Sequence, residues 1–264
     1  MAAASGLSVG TATLARRVAV VRLAIVAVLL AAWEALALSG LLFRDVVPSL
    51  AAIGRALARL LVGADFYANL GATAAEIAVA MLIGGLAGLA VGILLGANRF
   101  LSRAYESLVY YLGPTPKIIF FPVMIMWFGV GAGSKIAMGA VSCFFPIAIS
   151  AASGMREIDR VLIRVGRSFR ATTWQMVSKI YLPAMRAAVV NGVRLGLGVA
   201  VIGTLLAETK LSNRGLGYLI IQAYSTFDMP RMYALIIVLF VLAIGANAAI
   251  GRLSRAKTQP PDGR

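Results

Sequence analysis

The sequence predicts an all-α, polytopic membrane protein with six transmembrane helices joined by short polar segments. Three observations carry this. The 264 residues are 61% hydrophobic, with a mean hydropathy of +0.90, whereas soluble domains hold roughly 45–50% apolar residues even with glycine counted. The apolar residues gather into runs, several close to the roughly 20 residues that a bilayer-spanning helix needs. The 25 Lys and Arg, set against 10 Asp and Glu, fall mostly between those runs. A net charge of +15 by itself suggests nucleic acid. That reading needs cations gathered on one folded surface with aromatics for stacking, and here they are spread over the connecting segments. There is no histidine and a single cysteine, Cys143, inside an apolar run. Disulfides, histidine metal sites and Cys/His nucleophile pairs are thereby excluded, and neither a metal nor a cofactor of the chain's own is expected.

Taken in order, residues 1–17 are an N-terminal tail whose first fifteen, small and polar, are expected to lack structure. Arg16 and Arg17 precede an apolar run over 18–42. Small residues near Ala35 and Ala37 resemble a signal-peptide cleavage site, but the run is long enough to span and further spans follow, so it reads as the first span. Residues 49–61 have the pattern of an amphipathic helix lying along a surface. The second span, 71–96, carries Gly84, Gly88, Gly92 and Gly96 four residues apart, a ladder that lets helices approach closely in lipid. Asn98, Arg99 and Arg103 mark a loop. The third span, 114–129, has Pro114, Pro116 and Pro122 at or near its start, where proline costs least, with Pro122 kinking it. A turn over 129–135 leads to the fourth span, 134–154. The fifth covers 186–206 and the sixth 232–250, separated by a polar interval over 208–231. The transmembrane body is thus 18–251, with a polar loop at 155–185 and a charged tail at 252–264.

Six spans put both termini on one side. On that side lie 17 of the 25 cations, Lys117 among them, against 7 on the other, with Arg194 inside a span. By the positive-inside rule both termini and the 155–185 loop are cytoplasmic.

That loop is the most informative stretch. Seven cations fall between Arg156 and Arg186, with Glu157 and Asp159 the only acids. Leu162, Val165 and Phe169 recur at helical spacing, then Met176, Ile180 and Leu182. Thr172 and Thr173 are N-cap candidates for the second group, and Pro183 disturbs its end. The pattern predicts two short amphipathic helices with a bend between them. Phe169 and Trp174 are large aromatics in a basic, water-facing segment.

The stretch GVGAGSK at 129–135 superficially resembles a phosphate-cradling loop, but its Lys follows Ser and no strand precedes it. Four ionisable groups lie in or at the ends of spans: Glu34, Glu76, Arg194 and Glu208. The three acids sit near enough to span ends to reach the headgroups. Arg194 lies deeper, and such a residue is by default a site hypothesis: it either attracts an anionic substrate or pairs with an acid.

The loop resembles the cytoplasmic "EAA" loop of ABC-importer permeases, a pattern of Glu-Ala-Ala, three residues, Gly, nine residues, then Ile-x-Leu-Pro. Ile180, Leu182 and Pro183 match its end. Counting back places the triad at Arg164, Val165 and Gly166 and the glycine at Arg170, so arginine replaces both the Glu and the Gly. GRSFRATTWQMVSKIYLPA is similar to the nitrate/sulfonate/taurine-type permeases. So are Pro114-Thr115-Pro116-Lys117, the run Pro122, Trp127, Phe128, Gly129, Gly131, Ser134 and Lys135, the pair Phe145-Pro146, the stretch 192–196, Ala207-Glu208 and Gly-Leu-Gly-Tyr at 215–218. The resemblance implies a non-catalytic permease subunit of the bacterial inner membrane. Two copies, a homodimer, would form the pathway. A cytoplasmic ATPase dimer would bind the ATP, and a periplasmic solute-binding protein would deliver a small, anionic solute such as nitrate, a sulfonate or taurine. Arg164, Val165, Gly166, Arg167, Phe169, Arg170, Trp174, Ile180, Leu182 and Pro183 would then couple to the ATPase. Arg194, Trp127, Met124 and Glu208 are the candidate pathway residues. The alternatives are a secondary transporter, which needs inverted repeats with broken helices in both halves, or a membrane anchor subunit of another complex.

Overall fold

The computed structural model describes residues 5–40 and 46–256, and among them there is no strand. The helices are α1 (Ser5–Ser39), α2 (Leu50–Val62), α3 (Ala64–Ala97), α4 (Arg99–Leu112), α5 (Phe121–Phe128, preceded by a 3-10 turn at Lys117–Phe120), α6 (Ala132–Arg156), α7 (Arg160–Ser168), α8 (Thr173–Gln175), α9 (Leu182–Ala184, joined to α8 by a π-helical turn at Met176–Tyr181), α10 (Arg186–Lys210), α11 (Leu216–Ser225) and α12 (Met229–Ala256). Five of them, α1 from Arg16, α3, α6, α10 and α12 to Arg252, are long and apolar enough to cross a membrane. A sixth crossing exists only as a bent pair: α4 and the segment Lys117–Phe128 meet at 91°.

The molecule is organised around α6, which packs between α3 and α10. The glycine ladder explains the closeness of the first contact. Gly84 lies against Ala140 and Cys143, Gly88 against Phe144, Gly92 against Ala148 and Ala151, and Gly96 against Ala152 and Met155. At Gly84 and Gly88 a β-carbon would overlap a backbone carbonyl oxygen of α6, so only glycine admits this separation. Position numbers rise together along the two helices, so α3 and α6 run parallel and cross in the same direction. The chain between them must therefore return across the membrane. On the other side of α6, Gly192 meets Ser150, Gly196 meets Ile147 and Gly203 meets Ser142. There the numbers run oppositely, so α10 is antiparallel to α6.

The return between α3 and α6 differs from the predicted third span at 114–129 with its kink at Pro122. Asn98 is the only residue between α3 and α4; its side chain caps α4 by accepting from the amides of Phe100 and Leu101 at 2.9 and 3.3 Å. The expected loop at 98–103 is therefore the start of a helix. Along α4, Glu106 makes a two-pronged ion pair with Arg156 at the end of α6, both contacts 2.6 Å, which keeps α4 near the end that carries the 157–185 loop. The chain then unwinds over 113–116. Pro116 stands just before the 3-10 turn, and Pro122 sits in the first turn of α5, where it needs no amide partner. The bend thus lies at Gly113–Pro116 rather than at Pro122. Eight helical residues plus a 3-10 turn reach roughly 20 Å, short of the roughly 30 Å core, so α4 must make up the remainder.

Two further expectations change. Helix α1 already begins at Ser5, where a structureless tail was expected; residues 1–4, 41–45 and 257–264 lie outside the description. The interval at 208–231 contains α11, started by Gly215 at φ +109. The amphipathic helix expected at 49–61 is α2, capped by Ser49, whose Oγ accepts from the Ala52 amide at 3.3 Å. Its Ile53 and Ala56 pack on Ala234 of α12 beside Trp33 and Tyr233, whose rings meet edge to face at 5.3 Å.

Candidate functional site

The loop between α6 and α10 is built as a helical hairpin. Asp159 caps α7 by accepting from the Val161 amide at 2.8 Å. Thr172 and Gln175 form a reciprocal capping box at the start of α8, with Oγ1 accepting from the Gln175 amide at 3.3 Å and Oε1 accepting from the Thr172 amide at 2.8 Å. The bend between them closes through the Ala171 amide donating to the Gly166 carbonyl at 3.0 Å. Arg170 sits in this bend with φ +51. That is left-handed backbone, which costs a non-glycine residue about 1–2 kcal/mol, and it is the position where the EAA pattern has glycine.

Gly166 is buried where α7 crosses the second helix; a β-carbon there would run into Ile180 and Met176. The triad position therefore serves packing within the loop. Below it Ile158 and Met185 pack with Ala151 and Met155 of α6, fixing the hairpin to the body. Arg164, Val165, Arg167, Arg170 and Pro183 are exposed, and Ile180 and Leu182 are half-buried. Phe169 and Trp174 are 83% and 74% exposed. Two large aromatics thus stand on the outer side of a rigid basic hairpin, touching nothing that accounts for them.

The four candidate pathway residues are not brought together. Trp127 is 73% exposed near the end of α5. Met124 packs beside Phe121, Met138 and Ala207. Arg194 donates from Nε to Asn247 Oδ1 of α12 at 3.0 Å, so its partner is an amide and not an acid, the second of the two alternatives read from the sequence. Glu208 is 1% exposed and belongs to a structural network. It accepts from Thr73 Oγ1 at 2.7 Å and from the Gly217 amide at 2.6 Å, and Thr73 in turn accepts from the Leu216 amide at 2.8 Å. The network ties the α10–α11 connection to α3, with Gly215 donating to Asn69 Oδ1 at 2.7 Å.

Two of the three acids expected to reach the headgroups, Glu76 and Glu208, are buried instead. Glu76 is 3% exposed, close to Glu208, with fully buried Lys135 in electrostatic reach of both. Lys135 donates to the carbonyls of Val130 and Gly131 at 2.9 and 3.1 Å. The glycine-rich stretch before α6 is thus closed on its own lysine and cradles no phosphate. Glu34 accepts from the Leu50 amide at 2.8 Å and so helps cap α2.

Sequence reasoning gave Lys117 no role and counted it among the cytoplasmic cations. The structure places it level with the middle of α6. Its Nζ stands 5.0 Å from the centre of the Phe145 ring, and Phe145 adjoins the midpoint of the 25-residue α6. That level follows from the broken third span, which hydropathy does not reveal. Lys117 donates to the carbonyls of Gly113 and Thr115 within the unwound segment. Beside it is a cavity of about 300 Å³ between the 113–118 segment, α6 and α10, lined by Ser142, Val199 and Ile202 among others. Nearer the loop end a second hollow, about 440 Å³, is lined by Ser150, Ser153, Glu157 and Asn191. On the opposite side of α10 a hollow of about 420 Å³ between α3, α10 and α12 is apolar but for Thr73.

Comparison with known proteins agrees with this architecture. Residues 84–259 match the family model described as binding-protein-dependent transport system inner membrane component. The aliphatic sulfonates transport permease protein SsuC of Bacillus subtilis is 29% identical over 87% of this chain and 83% of its own. The taurine transport system permease protein TauC of Escherichia coli is 29% identical over 72% of this chain and 71% of its own. A solved structure of inward-facing MetNI methionine ABC transporter superposes with a TM-score of 0.66 at 26% identity, covering 76% of this chain and 97% of that one. The hairpin on a helical body, the apolar crossings and a match covering two-thirds of the chain lead to one assignment: the chain belongs to the binding-protein-dependent inner-membrane components, the permeases of ABC transporters.

Proposed function

We propose that the chain is the membrane-spanning subunit of an ATP-driven importer for a small, anionic solute of the sulfonate, taurine or nitrate kind. A periplasmic binding protein delivers the solute. A second copy of the chain completes the pathway, and a cytoplasmic ATPase dimer supplies the energy. Both termini and the α7–α9 hairpin face the cytoplasm of a bacterium, in accord with the cation distribution. The domain plan is a transmembrane body at 18–251 with a coupling loop at 155–185, flanked by cytoplasmic tails.

The observation that carries the reading is the hairpin: rigid, basic, anchored to α6, and presenting Phe169 and Trp174 outward. A helical element with exposed aromatic anchors suits a groove on a partner protein. ATP-driven closure of the ATPase dimer would move two such hairpins as rigid bodies and swing the attached α6 and α10 between inward- and outward-open arrangements. One hairpin per chain and two ATPase subunits call for two chains, most simply by two-fold symmetry.

Crosslinking in native membranes followed by affinity purification tests this. The expected product contains two copies of this chain and two of an ATP-binding-cassette subunit. Recovery of the chain with no ATPase overturns the proposal.

A further inference from the structure

We infer that Lys117, held near the bilayer midpoint by the broken third span, is the fixed positive charge of a transit site for a small monovalent oxyanion of the sulfonate type. This rests on the permease reading and adds to it the place and the chemistry of substrate contact.

The first argument is the cost of the charge. An ammonium at that depth is unfavourable unless it is compensated. Of the other cations set among the helices, Lys135 donates to the Val130 and Gly131 carbonyls and has two acids, Glu76 and Glu208, in its neighbourhood, and Arg194 donates to Asn247. Among the described residues no carboxylate pairs with Lys117. Its contacts are two neutral carbonyls, those of Gly113 and Thr115, and the face of Phe145. An ammonium has three donors, so one is left for a ligand.

The second argument is the space. The cavity beside Lys117, about 300 Å³, is at the lower end of the range for small-molecule sites. On α6, Ser142 and Ser153 share a face at a spacing of eleven residues. On α10, Asn191, Leu195, Val199 and Ile202 do the same at helical spacing. The cavity and the polar hollow at the loop end therefore lie in line along one side of both helices. The other side of α10, which carries Leu197 and Val201, borders only apolar surface. Arg194 leans to α12 and does not enter the polar side. Glu157 stands at the loop end of that side, and in the cavity level with the middle of α6 the one charged lining residue is Lys117.

The test uses the full chain in membranes with Val199→Cys as reporter; Cys143 is fully buried, so the unaltered chain supplies the blank. The probes are the anionic sulfonatoethyl methanethiosulfonate and its cationic trimethylammonium counterpart, with rates scaled to those on a free thiol. The expected result is faster reaction with the anion. Lys117→Gln should lower the anion-to-cation rate ratio about tenfold, as a unit charge within roughly 10 Å at intermediate dielectric would, and Lys117→Arg should retain it. Ethanesulfonate should slow the labelling when Lys117 is intact, a readout that needs no substitution at the site. Failure of both probes to react, or an unchanged ratio in Lys117→Gln, overturns the proposal. The ATPase is assayed in the same preparations. ATPase present with no charge preference refutes the site alone. Charge preference with no ATPase refutes the permease reading alone.

Discussion

Phe169→Ala is expected to strip the ATPase from the membrane subunit or to leave hydrolysis running without transport, while the chain itself still inserts and folds. The two halves of this expectation have separate causes. Phe169 is 83% exposed, so its truncation removes little packing from the permease. An aromatic anchor seated in a partner's groove, by contrast, typically contributes about 2 kcal/mol or more to association, which is roughly a thirtyfold loss of affinity. The caps at Asp159 and Thr172 do not involve the ring, so the hairpin persists. Arg167→Ala should be milder and more sensitive to salt, because rim charges act more on encounter than on residence. Pull-down of the ATPase and measurement of solute-stimulated hydrolysis check both. If Phe169→Ala leaves both unchanged, the ring lies in the headgroups and the hairpin is not the docking element.

Gly84→Leu is expected to prevent assembly of the membrane body. A side chain at Gly84 meets the Ala140 carbonyl and Cys143, and neither a backbone oxygen nor a buried sulfur can move aside without parting the two helices. Overpacking of a tight interior costs typically 1–3 kcal/mol. Here the whole α3–α6 contact must open, so a loss of at least about 3 kcal/mol is expected, which is a large share of the stability of a typical protein. Gly198→Leu is the matched control, since nothing lies within 4 Å of a β-carbon there. Size-exclusion profiles and thermal melts in detergent should show an aggregated or depleted Gly84→Leu and a near-normal Gly198→Leu. Equal behaviour of the two would mean that the ladder does not set the packing.

These residues also show which features a single sequence can reveal. The ladder was legible because its spacing of four is local, and so was its purpose, since glycine at that period has little other use in lipid. The hairpin was legible for a like reason: Thr172 and the apolar spacing on either side of it are local signals. What escaped depends on residues far apart. Glu76 and Glu208 looked like headgroup acids because their burial needs α3, α6, α10 and α11 to converge, bringing Thr73, Lys135 and Gly217 around them. The third span looked whole because hydropathy reports composition and not direction. Its break became visible only when α3 and α6 proved parallel, which obliges the chain to return between them. Helix α4 did carry a local signal, Asn98 before an amphipathic run, but the two arginines beside it suggested a loop. For Arg170 the family pattern marks a glycine, and the structure supplies the reason in a positive φ.

The central claim is that this chain moves its solute at the expense of ATP hydrolysed by a partner. Reconstitution with the co-purified ATPase and its binding protein into sealed, ion-tight liposomes tests that directly. Labelled taurine or ethanesulfonate should move in the import direction only when ATP is present at the ATPase face, and vanadate should stop it. Transport that proceeds without ATP and follows an imposed proton or sodium gradient would contradict the account.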